Sequence, residues 1–236
     1  MRDFALIQLT PGRLLVGWGP FRSDPEPPAA PAFYINDFFL SSDRPWKSPA
    51  RWDIVDAAGL PELLGPALRP PVEWDPVDDA SFQSLFSAAH SAVLRGEFDK
   101  IVPVEFETGR LTAGNSLVPW LVARFAAIPA PLAPYGWSIG REGVLGATPE
   151  PLFSIRSGEL TTMALAGTRS LDRVRELLDD PKEQAEHQMV VEDIREQLTP
   201  FGVPQVGPTT VVELPGLAHL KTAIALRPDR APGFEE

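Results

Sequence analysis

The sequence of 236 residues contains no cysteine. This absence excludes a disulfide framework, a thiol nucleophile and any metal centre with cysteine ligands. No apolar run approaches the ~20 residues of a membrane-spanning helix, and the first residues lack the apolar segment of a signal peptide. Basic residues are few, 21 Lys and Arg against 32 Asp and Glu, which disfavours a nucleic-acid-binding surface. We therefore expect a cytoplasmic protein with neither a membrane nor a nucleic acid as partner.

The remaining composition is that of a folded protein, with 44% hydrophobic and 22% charged residues. The formal charge of −11 means that an anionic substrate would need a cation or specific Arg and Lys side chains beside it. Proline is the unusual component, because 27 residues are roughly twice the ~5% average. Many prolines lie between residues 20 and 76, where they predict loops. This clustering predicts an N-terminal β-rich, proline-rich region over residues 1–77 and a second domain over 78–236.

Hydrophobic spacing predicts both strands and helices along the chain. The predicted strands cover 4–9 and 13–18, which form a hairpin, and 33–40, 100–108, 135–139, 143–147, 152–156 and 161–164. The predicted helices cover 52–64, 79–95, 118–128 and 181–198, the last with Asp179 and Asp180 placed to cap it. Because strands and helices do not alternate regularly, the order favours an α+β fold over a doubly wound sheet.

Five segments carry the candidate functional residues: FDKIVP at 98–103, GATPEPL at 146–152, MALAGTR at 163–169, DPKEQAEH at 180–187 and LAHLKT at 217–222. In the fourth, Glu183 and Glu186 are three residues apart, so their carboxylates share one side of a helix. Two oxygen ligands with water molecules are a usual way for a protein to hold Mg²⁺. The alternative is a solvated acidic face in which Lys182 pairs with Glu186.

In this order the segments resemble those of the chorismate-utilising enzymes. That family comprises anthranilate synthase large subunits (component I), aminodeoxychorismate synthases, isochorismate synthases and salicylate synthases. The resemblance covers about residues 79–224. It implies the chorismate-binding fold, with mixed and antiparallel sheets and flanking helices, and chorismate as the small-molecule substrate.

The residue at position 100 makes the resemblance closest to the isochorismate synthases. Members that add water carry Lys there, whereas members that use ammonia carry Gln. The resemblance assigns Lys100 as the base that deprotonates water attacking C2 of chorismate, so its amine must be uncharged beside the substrate. It assigns Glu150 as the acid that protonates the departing C4 hydroxyl, which requires a raised pKa. Without the resemblance, both side chains are read as surface residues.

The resemblance also implies Mg²⁺ as cofactor, bound by Glu186 and, with it, Glu183. The implied substrate-binding residues are Ala166, Gly167, Thr168 and His219. Aminodeoxychorismate synthases typically have a nucleophilic Lys where this chain has Ala166, so we expect no covalent lysine adduct. Since position 100 is not Gln, we also expect no glutaminase subunit.

The chain departs from the family pattern in charge and in length. Glu105 and Pro151 stand where the family often has basic or polar residues, which removes positive charge near the site of a dianion. Family members also continue beyond the fifth segment, into a region with further substrate-binding residues and a second Glu ligand for Mg²⁺. We therefore expect the C-terminal part of the fold to be absent. This leaves open a truncated, inactive chain, or a half-enzyme completed by self-association or by a separate chain. Salicylate synthase or anthranilate and aminodeoxychorismate synthase chemistry is also left open.

Overall fold

The structure is a computed structural model that describes residues 3–65, 71–76, 78–112, 117–125 and 127–229. The strands in these residues are β1 (Phe4–Thr10), β2 (Arg13–Asp24), β3 (Phe33–Tyr34), β4 (Trp46–Asp56), β5 (Val72–Trp74), β6 (Gly109–Leu111), β7 (Ala133–Ile139), β8 (Glu142–Thr148), β9 (Ser154–Arg156), β10 (Glu159–Ser170), β11 (Gln205–Leu214) and β12 (Leu217–Leu226). The α-helices are α1 (Leu60–Leu64), α2 (Asp79–Leu94), α3 (Leu117–Phe125) and α4 (Pro181–Leu198). None of these helices is both long and apolar enough to cross a membrane.

The first sheet has six strands in the order β3-β4-β2-β1-β7-β8. Alternate side chains of β1 and β2 are buried against α1 and α3, as expected for a sheet with one covered face. This core contains Phe4, Leu6, Leu14, Val16, Trp18, Leu60, Val118, Leu121, Val122 and Phe125. Because Phe4 of β1 pairs with Ser138 of β7, the sheet takes strands from both sides of the predicted boundary. Val77, at that boundary, lies outside the described residues, and the domain division stays a prediction.

The second sheet has the order β11-β12-β10-β9, and α4 packs on β10 and β12. Its strand β12 alternates strictly, with Ala218, Leu220, Thr222, Ile224 and Leu226 buried. A third, two-stranded sheet pairs β5 with β6. The antiparallel sheets and flanking helices confirm the predicted α+β class.

A β-bulge at Gly167 brings β10 against the first turn of α4. Ala166 pairs with Leu220 and Thr168 with His219, which leaves Gly167 as the extra residue. Gly167 has φ +74°, and a Cβ there would lie 3.0 Å from the carbonyl oxygen of Glu183. Glycine is therefore required both by the left-handed backbone and by the approach of the helix.

Substituting Gly167 by alanine is expected to destabilise the chain more than the same change at Gly158. Gly158 has nearly the same φ, +75°, but a Cβ there would meet nothing within 4 Å. Both variants therefore carry the strain of a left-handed residue, about 1–2 kcal/mol. The contact with Glu183 adds about another 1 kcal/mol at Gly167 alone. Urea unfolding of both variants measures the difference. Equal losses in the free energy of unfolding would show that α4 can move away from the added Cβ without destabilising the chain.

Most of the predicted elements are confirmed. These are the hairpin of β1 and β2, the helices α2, α3 and α4, and the four strands β7, β8, β9 and β10. The end of the third helix falls partly on residue 126, which lies outside the described residues. We predict no element over 205–226, where the structure has the hairpin of β11 and β12.

Three predicted elements are wrong or shorter than expected. The strand over 33–40 ends at Tyr34, because the Asp37 carboxylate accepts N–H bonds from Phe39 and Ser41 and folds the chain back. The helix over 52–64 is restricted to α1 and a preceding 3₁₀ turn, because β4 continues to Asp56 in register with β2.

The predicted strand over 100–108 is also wrong, although its sequence has a strand pattern. Residues 101–108 have no regular structure, and within the described residues no neighbouring strand pairs with them. A strand needs such a neighbour to pair its backbone groups. The segment consequently leaves Val102, Val104 and Phe106 exposed, Phe106 to 84%.

Candidate active site

The start of α4 is fixed by Asp180. Its carboxylate accepts the N–H groups of Lys182, at 3.0 Å, and Glu183, at 3.3 Å, and Pro181 occupies the first helical position. The hydrogen bond from the Glu183 backbone is the main reason why the pKa of Asp180 is lowered. This cap, rather than Asp179, places Glu183 in the first turn and Glu186 in the second.

Glu183 is buried, and hydrogen-bond donors surround its carboxylate. It accepts bonds from the Thr168 backbone N–H at 2.7 Å, from Nη1 of Arg169 at 2.5 Å and from Nζ of Lys182 at 3.0 Å. Burial by itself raises the pKa of Glu183, but the bonds from Lys182, Thr168 and Arg169 outweigh it and hold the pKa below its ordinary value. Glu183 is therefore a charged carboxylate that is already engaged by the protein.

Lys100 and Glu186 meet although 86 positions separate them. Nζ of Lys100 lies 3.1 Å from Oε1 of Glu186, and the two side chains are 34% and 35% exposed. Lys182 also approaches Glu186, but at 3.8 Å and with a side chain that is mostly in solvent. The Lys100 amine thus faces the start of α4 instead of bulk water, in the geometry of an ion pair.

Glu150 is held at the end of β8 by the residue two positions before it. The Thr148 hydroxyl accepts the Glu150 N–H at 3.0 Å, which closes a local turn. Burial raises the pKa of Glu150, and the nearby charge of Lys100 offsets this only in part. Glu150 therefore retains its proton to a higher pH than an ordinary glutamate, as a general acid requires.

Thr168 and His219 form a pair on the second sheet beside the start of α4. Oγ1 of Thr168 lies 2.9 Å from Nδ1 of His219, which is its partner in the strand register. Ala166 and Gly167 precede them on the bulged strand, with Ala166 buried. The structure thus places the predicted residues in two groups, Lys100 with Glu150 and Glu186, and the Gly167 turn with Thr168, His219 and Glu183. Their roles stay predictions.

Sequence reasoning missed two residues of this region, Arg169 and His187. Arg169 belongs to the third segment, but no pattern shows that it reaches the start of α4. His187 lies on the buried side of α4, where its Nε2 is 2.8 Å from the hydroxyl of Thr222 on β12. The Thr222 hydroxyl lies 2.8 Å from that of Thr209 on β11. Burial lowers the pKa of His187, so this histidine is a neutral part of the packing between helix and sheet.

The oxygen ligands at the site fit Mg²⁺ only in part. Among the described residues, no group of three or more His, Asp or Glu side chains is arranged to hold a metal ion. Glu183 already binds three donors, whereas Glu186 has a half-exposed carboxylate. Mg²⁺ is usually bound by one or two carboxylates together with water and substrate oxygens. Glu186 is therefore the more accessible of the two predicted ligands, and binding of Mg²⁺ stays a prediction.

A glutamate with a raised pKa that senses the charge of a lysine is a candidate for acid–base chemistry. The profile of the family described as chorismate binding enzyme matches residues 58–226. The chain belongs to this family of chorismate-binding enzymes, which confirms the resemblance read from the five segments.

Comparisons with individual proteins agree with this assignment. The chain is 35% identical over 149 residues to the salicylate biosynthesis isochorismate synthase of Pseudomonas aeruginosa, which covers 59% of this chain. It is 29% identical over 131 residues, or 52% of this chain, to anthranilate synthase component 1 of Aeropyrum pernix. Each match spans only 29% of the curated relative.

The fold is similar to that of MenF, the menaquinone-specific isochorismate synthase of Escherichia coli. The TM-score is 0.79 at 19% sequence identity, and the match covers 98% of this chain and 66% of that chain. The likeness identifies the predicted chorismate-binding fold.

Proposed function

We propose that this protein is an isochorismate synthase-like isomerase that converts chorismate to isochorismate in a Mg²⁺-dependent reaction. The observation that carries the proposal is the position of Lys100, whose amine contacts Glu186 and whose charge acts on Glu150, the residue with the raised pKa. We therefore assign the role of the acid to Glu150 and that of the base to Lys100. Among the relatives, the Pseudomonas protein is an isochorismate synthase by name.

The reaction is an exchange of hydroxyl groups around the ring of the substrate. Lys100 takes a proton from the water that attacks C2, and the new C–O bond forms there. The ring double bonds shift, the C4–O bond breaks, and Glu150 gives its proton to the departing hydroxyl, which leaves as water. The product is an isomer of the substrate, so no oxidant is needed. A base role requires the Lys100–Glu186 pair to open when substrate binds, because an ammonium group cannot accept a proton.

The substrate carboxylate would lie between Glu186 and the Thr168–His219 pair. The Thr168 backbone N–H is already donated to Glu183, so the groups that remain for an anion are the Thr168 hydroxyl and the His219 imidazole. Bound Mg²⁺ would neutralise the carboxylate of the substrate in this acidic protein. Glu186 would hold the Mg²⁺ ion, and Glu183 would stabilise the Gly167–Thr168 turn.

Incubation of the purified chain with chorismate and Mg²⁺ tests the proposal directly. We expect isochorismate as the product, and we expect chelation of Mg²⁺ by EDTA to abolish turnover and Mg²⁺ addition to restore it. Chromatography of the products with and without ammonium separates this reaction from its relatives. Salicylate or an ammonium-dependent aromatic amine would replace the proposal with salicylate synthase or anthranilate synthase chemistry.

A second candidate function is a chorismate-binding half-enzyme that needs another chain or a second copy. Its support is a group of exposed apolar side chains, of which Leu85 of α2, Val104 and Phe106 line one open cleft. Turnover that rises more steeply than linearly with protein concentration, or that requires a second polypeptide, would support this candidate.

A further inference from the structure

The guanidinium of Arg169 lies where β10 meets the first turn of α4. Its Nη1 donates to Oε1 of Glu183 at 2.5 Å and to the carbonyl oxygen of Thr168 at 3.0 Å, and its Nη2 donates to Asp180. The side chain is only 19% exposed. One side chain thus joins the N-cap residue of the helix, a first-turn carboxylate and the strand that carries the Gly167 turn.

This is an unfavourable place for a cation. The N-terminus of a helix carries a partial positive charge, which repels a guanidinium. Asp180 and Glu183 supply two carboxylates that offset this repulsion, and the pKa of each is held below its ordinary value. Burying such a network costs desolvation that apolar packing would avoid. Stability alone is therefore a weak explanation for Arg169, and a requirement for fixed geometry is a better one.

The groups that Arg169 joins lie on two sides of the candidate site. On the strand side, the Thr168 N–H donates to Glu183 while the Thr168 hydroxyl contacts His219. On the helix side, Glu186 follows Glu183 by three residues and meets Lys100. The position of the helix relative to the strand decides the separation of Glu186 from the Thr168–His219 pair.

We infer that Arg169 is a positioning residue that clamps the Gly167–Thr168 turn to α4. The clamp keeps the Glu186 carboxylate and the Thr168–His219 pair at a fixed separation, so that both reach the carboxylate side of one substrate. That purpose rests on the proposed function, whereas the clamp itself is a property of the folded chain and is measurable without substrate.

The first test is amide hydrogen exchange at Thr168 in Arg169→Met. Loss of the guanidinium removes the links among Asp180, Glu183 and the Thr168 carbonyl, so the bond from the Thr168 N–H to Glu183 is expected to open more often. We expect exchange at Thr168 to accelerate by about tenfold or more, while the core amides of β12 keep their protection. The matched control is Arg173→Met, because Arg173 pairs with Glu176 on the surface and acts on Asp180 only through its charge, with no hydrogen bond to it among the described residues.

The second test is steady-state kinetics of the same variants with chorismate and Mg²⁺. Arg169 acts on Glu186 only through the first turn of α4, so the Mg²⁺ concentration for half-maximal rate should rise in Arg169→Met by at most about the 10–100-fold seen when a direct partner of a metal ligand is lost. KM for chorismate should rise more than kcat falls. Arg169→Lys should recover the effect only in part, because an ammonium cannot bond two carboxylates and a carbonyl in one plane.

The two tests separate failure of the inference from failure of the proposed function. If the wild-type chain does not turn over chorismate, the proposed function is wrong and hydrogen exchange alone decides on the clamp. If Arg169→Met does not fold, Arg169→Lys and its exchange rate at Thr168 take its place. Unchanged exchange at Thr168 in a folded variant, or equal effects in Arg173→Met, would overturn the inference.

Discussion

Replacing Lys100 by arginine is expected to lower chorismate turnover by about 10²–10⁴-fold, the usual contribution of a general base. Arginine keeps the positive charge and can retain the ion pair with Glu186. In the wild-type chain, Nζ of Lys100 lies 3.1 Å from Oε1 of Glu186. It cannot give up a proton near neutral pH, so it cannot activate water. Initial rates of chorismate loss at saturating Mg²⁺ measure the effect.

The choice of arginine separates a base from a structural cation. If Lys100 only pairs with Glu186, the variant should keep most of its activity, and that outcome would remove Lys100 from the mechanism. Lys47→Arg is the matched control, because Lys47 lies in the first sheet with bonds to Ser23 and to the Arg44 carbonyl. We expect this control to have the wild-type rate.

Replacing Glu150 by glutamine is expected to cost a similar factor, about 10²–10⁴-fold, because an amide cannot protonate the departing hydroxyl. Turnover of the wild-type chain should fall as the pH rises through the raised pKa of Glu150, since the protonated form disappears there. This alkaline decrease should be absent from the residual activity of Glu150→Gln. The control is Glu142→Gln, because Glu142 lies at the exposed start of β8, the strand that precedes Glu150.

The same substitution should not destabilise the protein at neutral pH. Because burial raises the pKa of Glu150 above its ordinary 4.5, the folded chain binds this proton more tightly than the unfolded chain does. The stability gained from it is complete below pH 4.5 and is lost as the pH rises through the raised pKa. Glutamine stays neutral, so the variant should resist urea at pH 7.5 at least as well as the wild type. A marked loss of stability would indicate a structural role for the carboxylate.

Local patterns predict the elements whose stability is local. The β1–β2 hairpin follows from two neighbouring segments with a strand pattern. The start of α4 follows from the N-cap residue Asp180, which is visible in the sequence. Residues 101–108 have an equally good strand pattern, yet they form no strand. The difference is that a strand depends on distant residues for its hydrogen bonds, and alternation carries no information about them.

The site was predicted as a set of segments and not as a set of contacts. Spacing alone places Glu183 and Glu186 on one side of a helix, but it gives them the same role. The structure separates them, because Glu183 binds Arg169, Lys182 and the Thr168 N–H, whereas Glu186 meets Lys100. Except for Lys182, these partners lie outside α4, so spacing along the helix could not predict the contacts.

The proline-rich N-terminal region is built into the support of Glu150. β1 is hydrogen-bonded to β7, β7 to β8, and the last residue of β8 is Thr148, whose hydroxyl holds the Glu150 turn. A recombinant chimera that exchanges this region with a relative at residue 77 would therefore alter the strands that support Glu150, the proposed proton donor. Crossovers that transfer β1, β2, β7 and β8 as one block should preserve it.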